Sequence, residues 1–274
     1  MSDLFLSHIR LYPIKGCSGT DVQMAAMDAR GFRYDRRWML INEYGLGLQQ
    51  LDFPILARIV ASLDDDCLCV QAPGMSPLRV PLQSPLLKPG IVRWYHGRCE
   101  AFSISEQADA WFQQFLHVWC RLVFMPENTP RFVAPEYALD HELAAFTSFQ
   151  YHLLGEGSLE DLNQRLDTPV PLDRFRPNLV VSGAPPFAED SWHTVRINHL
   201  TFHVVRPCDR CAITTVDAAT GTKTDKEPLA TLAKYRTFQQ KVLFGQYLLS
   251  SESGMLHVGD TIEVLEYQNP TRSI

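Results

Sequence analysis

Short runs of β-forming residues, separated by turn residues, fill much of the first hundred positions of the chain. The runs are too short for typical helices and are bounded by turn residues, a pattern that predicts strands. They lie at residues 7–12, 37–42, 58–63, 67–71 and 91–96. We therefore expect a small sheet or barrel in this half of the chain.

Helical spacing is clear at two places. Ser103 and Glu106 fit a capping box, and apolar residues at helix spacing follow as far as Trp119. Ser158 is in a position to cap a second helix, which continues through Leu166. The remaining patterns predict a buried strand at 179–181, a hairpin around 198–199, a helical turn after 228 and a last strand after 260. The fold class predicted is mainly β with some α (α+β).

A proline-rich stretch with little periodicity, residues 125–135, predicts the domain junction. We place the domains at 1–125 and 126–274. With 274 residues, 46% of them hydrophobic, the chain has enough apolar material for one large or two modest cores.

The net charge of −6 gives no overall basic field, so we expect no nucleic-acid polymer and no anionic membrane as partner. His8 and Arg10 interrupt the apolar N-terminal residues too early for a signal peptide. No apolar stretch approaches the length of about 18 residues that a membrane helix requires. We expect a cytoplasmic protein.

Seven cysteines in a chain of this length predict free thiols, mostly in the core. The pair Cys208 and Cys211 has several interpretations. A zinc site would need two further ligands at short spacing, and none follows. A thioredoxin-like pair would need a helix, but the β-branched run at 212–216 disfavours one. Two buried thiols on a strand end remain possible.

The basic neighbours of this pair favour a fourth interpretation, in which a cysteine thiolate is a ligand of a metal. Arg206 and Arg210 flank the cysteines and stabilise a thiolate, which is a soft ligand for a metal. Upstream, Arg174 and Arg176 precede an apolar strand and could donate to phosphate or pterin groups, although each could equally be a surface charge.

Several motifs, in order, resemble the MOSC family (molybdenum cofactor sulfurase C-terminal domains). They are RFRPNLVVSG at 174–183, AEDSW at 188–192, PCDRCAITTVD at 207–217, KEPL at 226–229, FGQY at 244–247 and VGD at 258–260. LYPIK at 11–15 and YDRRW at 34–38 resemble the N-terminal β-barrel domain that precedes MOSC in mitochondrial amidoxime-reducing components and their bacterial relatives. The resemblance covers nearly the whole chain and implies an N-terminal β-barrel-like domain followed by a MOSC β-barrel with peripheral helices.

The resemblance implies a molybdenum-molybdopterin cofactor and reduction of N-hydroxylated small molecules such as amidoximes and hydroxylaminopurine-like bases. Cys211 matches the molybdenum ligand and, with Asp209, is the implied catalytic residue. Its implied partners are a small N-hydroxylated substrate and a separate electron-donor protein of the ferredoxin or flavin-reductase type, since no cluster-ligating cysteines follow Cys211. The positions that match cofactor contacts are Lys15, Gly16, Arg36, Ser148, Phe149, Arg176, Asn178, Asp209, Arg210, Cys211 and Tyr247.

Two departures from the family pattern concern the N-terminal domain. Gly16 stands where a serine usually follows the lysine, and the segment 47–50 replaces a common alanine-arginine-glutamine triplet. These departures put the substrate range in question more than cofactor binding. The alternative function is a non-catalytic carrier of molybdenum cofactor or sulfur, and a zinc or thiol redox protein is a third possibility.

Overall fold

The computed structural model describes residues 3–95, 97–223 and 226–270. Short strands dominate it, as the sequence predicts. The strands are β1 (Phe5–Leu11), β2 (Thr20–Val22), β3 (Met24–Asp28), β4 (Gly31–Phe32), β5 (Trp38–Ile41), β6 (Val60–Leu63), β7 (Cys67–Gln71), β8 (Leu78–Pro81), β9 (Pro89–Trp94), β10 (Gly97–Ser103), β11 (Arg121–Phe124), β12 (Tyr151–Gly155), β13 (Leu179–Ser182), β14 (Trp192–Ile197), β15 (Leu200–Arg210), β16 (Val216–Asp217), β17 (Thr222–Lys223), β18 (Thr237–Phe238), β19 (Lys241–Leu249), β20 (Gly254–His257) and β21 (Ile262–Tyr267).

The described residues also form three α-helices: α1 (Glu106–Leu116), α2 (Glu156–Gln164) and α3 (Leu229–Ala233). The α+β class predicted from the sequence is therefore confirmed. All five strands predicted in the first hundred residues are present, although His96, the last residue of one predicted run, lies outside the described residues. Within the described ranges no helix is long and apolar enough to cross a lipid bilayer.

The largest sheet orders its strands β2-β1-β13-β12-β19-β15-β14-β21, with β18 paired to β19. The sheet curls until its two ends meet, because Phe5 bridges Thr261 and the amide of Ile262 donates to the carbonyl of Leu4 at 2.9 Å. Its inner face buries alternating apolar side chains such as Val195, Ile197, Phe202 and Val204, as the predicted hairpin requires. The result is a barrel-like layer.

Two smaller sheets form much of the rest of the N-terminal half, and β3 and β4 form a third with β20. One has the order β5-β11-β10-β9 and the other β6-β7-β8. Helix α1 packs on them with Ala108, Trp111, Phe112 and Leu116, the positions that its apolar spacing predicts. Its start differs from the prediction. The N-cap is Ser105, whose Oγ accepts from the amide of Ala108 at 3.1 Å, and not Ser103.

The second predicted cap is also wrong. Helix α2 begins at Glu156 after Gly155, so Ser158 lies inside its first turn. The Ser158 hydroxyl instead donates to the buried carboxylate of Glu189 at 2.7 Å and accepts from the amide of Phe187 at 2.8 Å. The need of a buried carboxylate for a donor explains why this serine does not cap the helix.

The strand pairing crosses the predicted domain junction. β1 pairs antiparallel with β13, and β3 pairs with β20, so the first 28 residues contribute to sheets built from the second half of the chain. The boundary at 125 stays a prediction. This pairing has one consequence for function, because it brings the turn after β1 beside the strands that carry the cysteine pair.

Candidate functional site

A cleft of about 860 Å³, including the open space at its mouth, gathers the predicted site residues. Five adjacent strands, β1, β13, β12, β19 and β15, carry or adjoin most of them, and Arg36 precedes β5 of another sheet. The predicted residues that line the cleft are Lys15, Arg36, Ser148, Phe149, Arg176, Asn178, Asp209, Arg210, Cys211 and Tyr247, together with Cys208. Residues that the sequence did not indicate are Thr147, Tyr151, His152, Phe175, Ile213 and Thr214.

Gly16 is the one predicted residue that does not line the cleft. Its φ of +86° lets the chain turn behind Lys15 in the left-handed region that glycine favours. A Cβ on Gly16 would lie 3.7 Å from the carbonyl of Leu48 and 3.8 Å from the amide of Gln50. The two departures from the family pattern are therefore neighbours in space and form one altered patch behind Lys15.

The two cysteines of the pair occupy different environments. Cys208 is on β15 with 2% of its surface exposed, and burial raises the pKa of its thiol. Cys211 follows the strand and is exposed in the cleft. Its carbonyl accepts from the amide of Thr214 at 3.2 Å and from the Thr214 hydroxyl at 3.1 Å. The backbone of Cys211 is thus fixed while its sulfur stays accessible.

The backbone and side chains around Cys208 and Cys211 bear on two other interpretations of the pair, a thioredoxin-like site and a zinc site. After Cys211 the chain forms a 3-10 turn, Ala212–Thr215, and then β16, so no α-helix begins at the cysteines as in a thioredoxin-like site. In the described part of the chain, no three His, Cys, Asp or Glu residues are grouped so that they could hold a metal ion. A metal bound at Cys211 would need most of its ligands from elsewhere.

Cationic groups surround the cleft. Among the residues that the structure describes, Lys15, Arg176 and Arg210 form no salt bridge, whereas Arg36 pairs with Asp35. Lys15 Nζ donates to the carbonyl of Phe146 at 2.8 Å. Burial, with the charges of Arg36 and Arg176, lowers the pKa of Lys15 to about 7. An anion in the cleft would relieve this repulsion, so the electrostatics of the cleft favour an anionic ligand.

Tyr12 and Asn178 fix the two arginines of this group. The Tyr12 ring lies 4.8 Å from the guanidinium carbon of Arg36 and 4.4 Å from that of Arg176. Asn178 Oδ1 accepts from Arg36 Nη1 at 2.9 Å, and Arg36 Nη2 donates to the carbonyl of Arg176 at 3.3 Å. Both arginines have a positive φ, of 51° and 55°. The sequence indicated both arginines, and it included Tyr12 in the LYPIK motif without indicating that its ring would contact them.

Asp209 lies at the mouth of the cleft. Its carboxylate pairs with Arg206 at 2.8 Å and with Lys241 at 3.8 Å. The charge of Asp209 is therefore compensated by two residues outside the cleft lining. An aromatic wall stands beside it, in which Phe149 stacks on Tyr247 with ring centroids 4.5 Å apart and Tyr137 packs on Phe149 at 5.3 Å. Ser148 precedes this wall in the lining. The catalytic role of Asp209 stays a prediction.

The fold and site together define a protein of β-barrel type, with a cation-lined cleft beside the exposed thiol of Cys211. Comparison with known sequences gives the family. The MOSC domain profile matches residues 140–263, and the profile of the MOSC N-terminal β-barrel domain matches residues 4–118. The chain belongs to the MOSC family, with the N-terminal MOSC β-barrel domain, as the sequence motifs predicted.

Two sequence relatives that match most of this chain agree with this assignment. Mitochondrial amidoxime-reducing component 1 from Mus musculus is 35% identical over 95% of this chain and 82% of its own length. The molybdenum cofactor sulfurase of Oryza sativa subsp. japonica is 32% identical over 96% of this chain but only 34% of its own length. Among solved structures, the YUAD protein from Bacillus subtilis superposes with a TM-score of 0.44 at 10% identity, over 97% of each chain. The relatives associate the chain with molybdenum-cofactor-related function.

Proposed function

We propose that this chain is a molybdenum-cofactor-dependent reductase of N-hydroxylated small molecules. One observation carries the proposal: the accessible thiol of Cys211 faces a cleft in which three cations, Lys15, Arg176 and Arg210, form no salt bridge within the described residues. A thiolate ligand next to an anion-binding surface is what a phosphate-bearing pterin with a metal requires. The amidoxime-reducing relatives support the same conclusion.

The residues of the cleft fit such a cofactor. Cys211 would supply the protein's sulfur ligand to molybdenum. Lys15, Arg36 and Arg176 would bind the phosphate and pterin, with Asn178 orienting Arg36, since the cations lack enough carboxylate partners of their own. The remaining contacts in the proposal are Ser148, Phe149, Asp209, Arg210 and Tyr247. When bound, the cofactor supplies a metal that exchanges two electrons and accepts an oxygen atom.

The chain's own residues would orient the reactants and handle protons. Conversion of an amidoxime to an amidine and water takes up two electrons and two protons. Phe149 and Tyr247 present an apolar wall that restricts water on one side of the cleft. The half-exposed carboxylate of Asp209, at the mouth, is the group best placed to pass protons from solvent. Electrons would come from a separate ferredoxin or flavin-reductase-type protein, in the cytoplasm.

A carrier of molybdenum cofactor or sulfur is the second candidate, because the chain also matches part of a molybdenum cofactor sulfurase. Both functions require Cys211, so turnover must separate them. Protein purified with molybdenum would be given a chemical reductant and benzamidoxime, and benzamidine would be measured by chromatography. We expect many turnovers per molybdenum in the wild type and none in C211A. Fully loaded wild-type protein that forms no benzamidine would overturn the reductase and favour the carrier.

A further inference from the structure

His152 is one of the buried residues of the cleft that the sequence analysis left without a role. It lies on β12 with 4% of its surface exposed. Its backbone is held from both sides by Asn178, since its amide donates to Asn178 Oδ1 at 3.3 Å and its carbonyl accepts from the Asn178 amide at 2.7 Å. The imidazole therefore has a fixed position at the base of the cleft.

The imidazole meets the guanidinium of Arg210. Arg210 Nη2 lies 2.5 Å from His152 Nε2. A guanidinium can only donate, so Nε2 must be the acceptor and the ring proton must be on Nδ1. The side chain of His152 is thus neutral in this arrangement. Burial and the charge of Arg210 also lower the pKa of His152 well below its ordinary value, and the charge of Arg36 acts in the same direction.

Arg210 is held by acceptors that carry no charge. Its Nε donates to the carbonyl of Phe244 at 2.8 Å, Nη1 to the carbonyl of Phe175 at 2.9 Å, and Nη2 to the carbonyl of Phe244 at 2.6 Å as well as to His152. A carboxylate in place of His152 would cancel the charge of Arg210. A neutral acceptor fixes the guanidinium and leaves its charge, and one Nη1 hydrogen, for a ligand.

Gly245 makes room for this contact. A Cβ at residue 245 would lie 2.5 Å from His152 Nε2 and 3.4 Å from Arg210 Nη2, and φ at Gly245 is +78°. Any larger residue would push into the space where the imidazole and the guanidinium meet. The FGQY motif at 244–247 therefore requires glycine at its second position, because a side chain there would displace the His152 imidazole.

We propose that His152 is a positioning residue that holds Arg210, the neighbour of Cys211, in the orientation that binds the anionic cofactor. The inference rests on the proposed function, because the ligand in question is the molybdenum-pterin cofactor. It adds a residue on β12 to the cofactor site and gives it a specific role, as a neutral hydrogen-bond acceptor.

The test compares H152Q with H152L. Glutamine places an amide oxygen near the position of Nε2 and keeps an acceptor, whereas leucine removes it. Molybdenum and pterin would be measured per chain after prolonged dialysis, and cofactor-free melting temperatures would show whether each variant folds. We expect H152L to lose the cofactor about 10-fold faster than wild type, the size of effect seen when residues that orient the groups around a metal are removed. We expect H152Q to retain the cofactor. Equal retention in H152L, or equal loss in a folded H152Q, would overturn the proposal.

A second measurement does not depend on the cofactor. The ¹⁵N spectrum of the His152 imidazole in cofactor-free protein at pH 7 should report a neutral ring protonated on Nδ1. A charged ring, or a proton on Nε2, would overturn the proposed contact. Wild-type protein that binds no molybdenum at all would refute the proposed function instead, and the imidazole spectrum would still decide whether His152 accepts from Arg210.

Discussion

Lys15 and Arg176 are basic residues that determine the electrostatics of the cleft. Both are cations in a partly buried site, and neither forms a salt bridge with a carboxylate of the described residues. Burial lowers the pKa of Arg176 as well as that of Lys15. The folded protein thus holds charges that repel each other, at a cost in stability. An anionic ligand reduces this cost, and ligand binding and stability are therefore linked through these residues.

The first prediction concerns Lys15 and pH. The unfolded chain keeps the Lys15 proton up to the ordinary pKa of 10.5, whereas the folded cofactor-free protein loses it near pH 7. Between these values the unfolded state binds more protons, so stability rises with pH in this window. The melting temperature of cofactor-free wild type should rise more between pH 6.5 and 9 than that of K15M. Parallel pH profiles for the two proteins would contradict the lowered pKa of Lys15 in the folded protein.

The second prediction separates the ring of Tyr12 from its hydroxyl. The hydroxyl is buried without a hydrogen-bond partner among the described residues, while the ring contacts Arg36 and Arg176. Y12F should unfold with an unchanged free energy or one higher by about 1 kcal/mol. Y12L should lose about 2–5 kcal/mol, from the cavity and the lost cation–π contacts. Urea denaturation measures both, and a Y12F as unstable as Y12L would disprove this division of roles.

At the scale of elements, two serines near helix starts have different functions. Ser105 caps α1, and Ser158 lies inside α2 and donates to buried Glu189, whose pKa burial raises. Loss of a cap costs about 1 kcal/mol. Loss of a hydrogen bond to a buried charged group costs about 1.5–3 kcal/mol.

The third prediction follows directly. S158A should lower the free energy of unfolding by about 2–3 kcal/mol, and S105A by about 1 kcal/mol. Guanidinium denaturation of both variants under the same conditions gives the comparison. If S105A were the more destabilising of the two, the assignment of the serines would be reversed.

The same two serines show how far the sequence could predict the elements. Periodicity identified α1, α2 and the hairpin β14–β15, because each buries one face of local sequence. It carried the helices too far, since α1 ends at Leu116 and not at Trp119, and α2 ends at Gln164 and not at Leu166. It misplaced both caps, since a hydroxyl can serve a helix end or a distant partner and local sequence does not reveal which. His152 was missed for the same reason. Its role depends on Arg210, which lies 58 residues away along the chain.

At the scale of the whole molecule, the N-terminal strands complete the large sheet. β1 lies between β2 and β13, and β3 pairs with β20 near the end of the described chain. Lys15 and Arg36 reach the cysteine pair only because of this arrangement. Motif order in the sequence indicated that both halves contribute to one site. Strand order could not be predicted, because pairing between distant strands has no local signal.

The fourth prediction tests this interdependence. A fragment of residues 126–274 lacks β1 and β3 and leaves the edges of β13 and β20 that pair with them exposed, so it should show no cooperative thermal unfolding by circular dichroism. Coexpression with residues 1–125 should restore a cooperative transition. A fragment that melts cooperatively by itself near the temperature of the full chain would show that the second half folds independently.

Molybdenum content per chain tests the central claim most directly. Wild type, C208A and C211A would be produced side by side in cells that make the cofactor, and molybdenum would be measured by mass spectrometry. Because Cys211 is exposed in the cleft and Cys208 is buried beneath it, wild type should hold close to one molybdenum per chain, C208A a large part of that, and C211A essentially none. Molybdenum retained by C211A at the wild-type level, or lost equally from both variants, would contradict the assignment of Cys211 as the ligand.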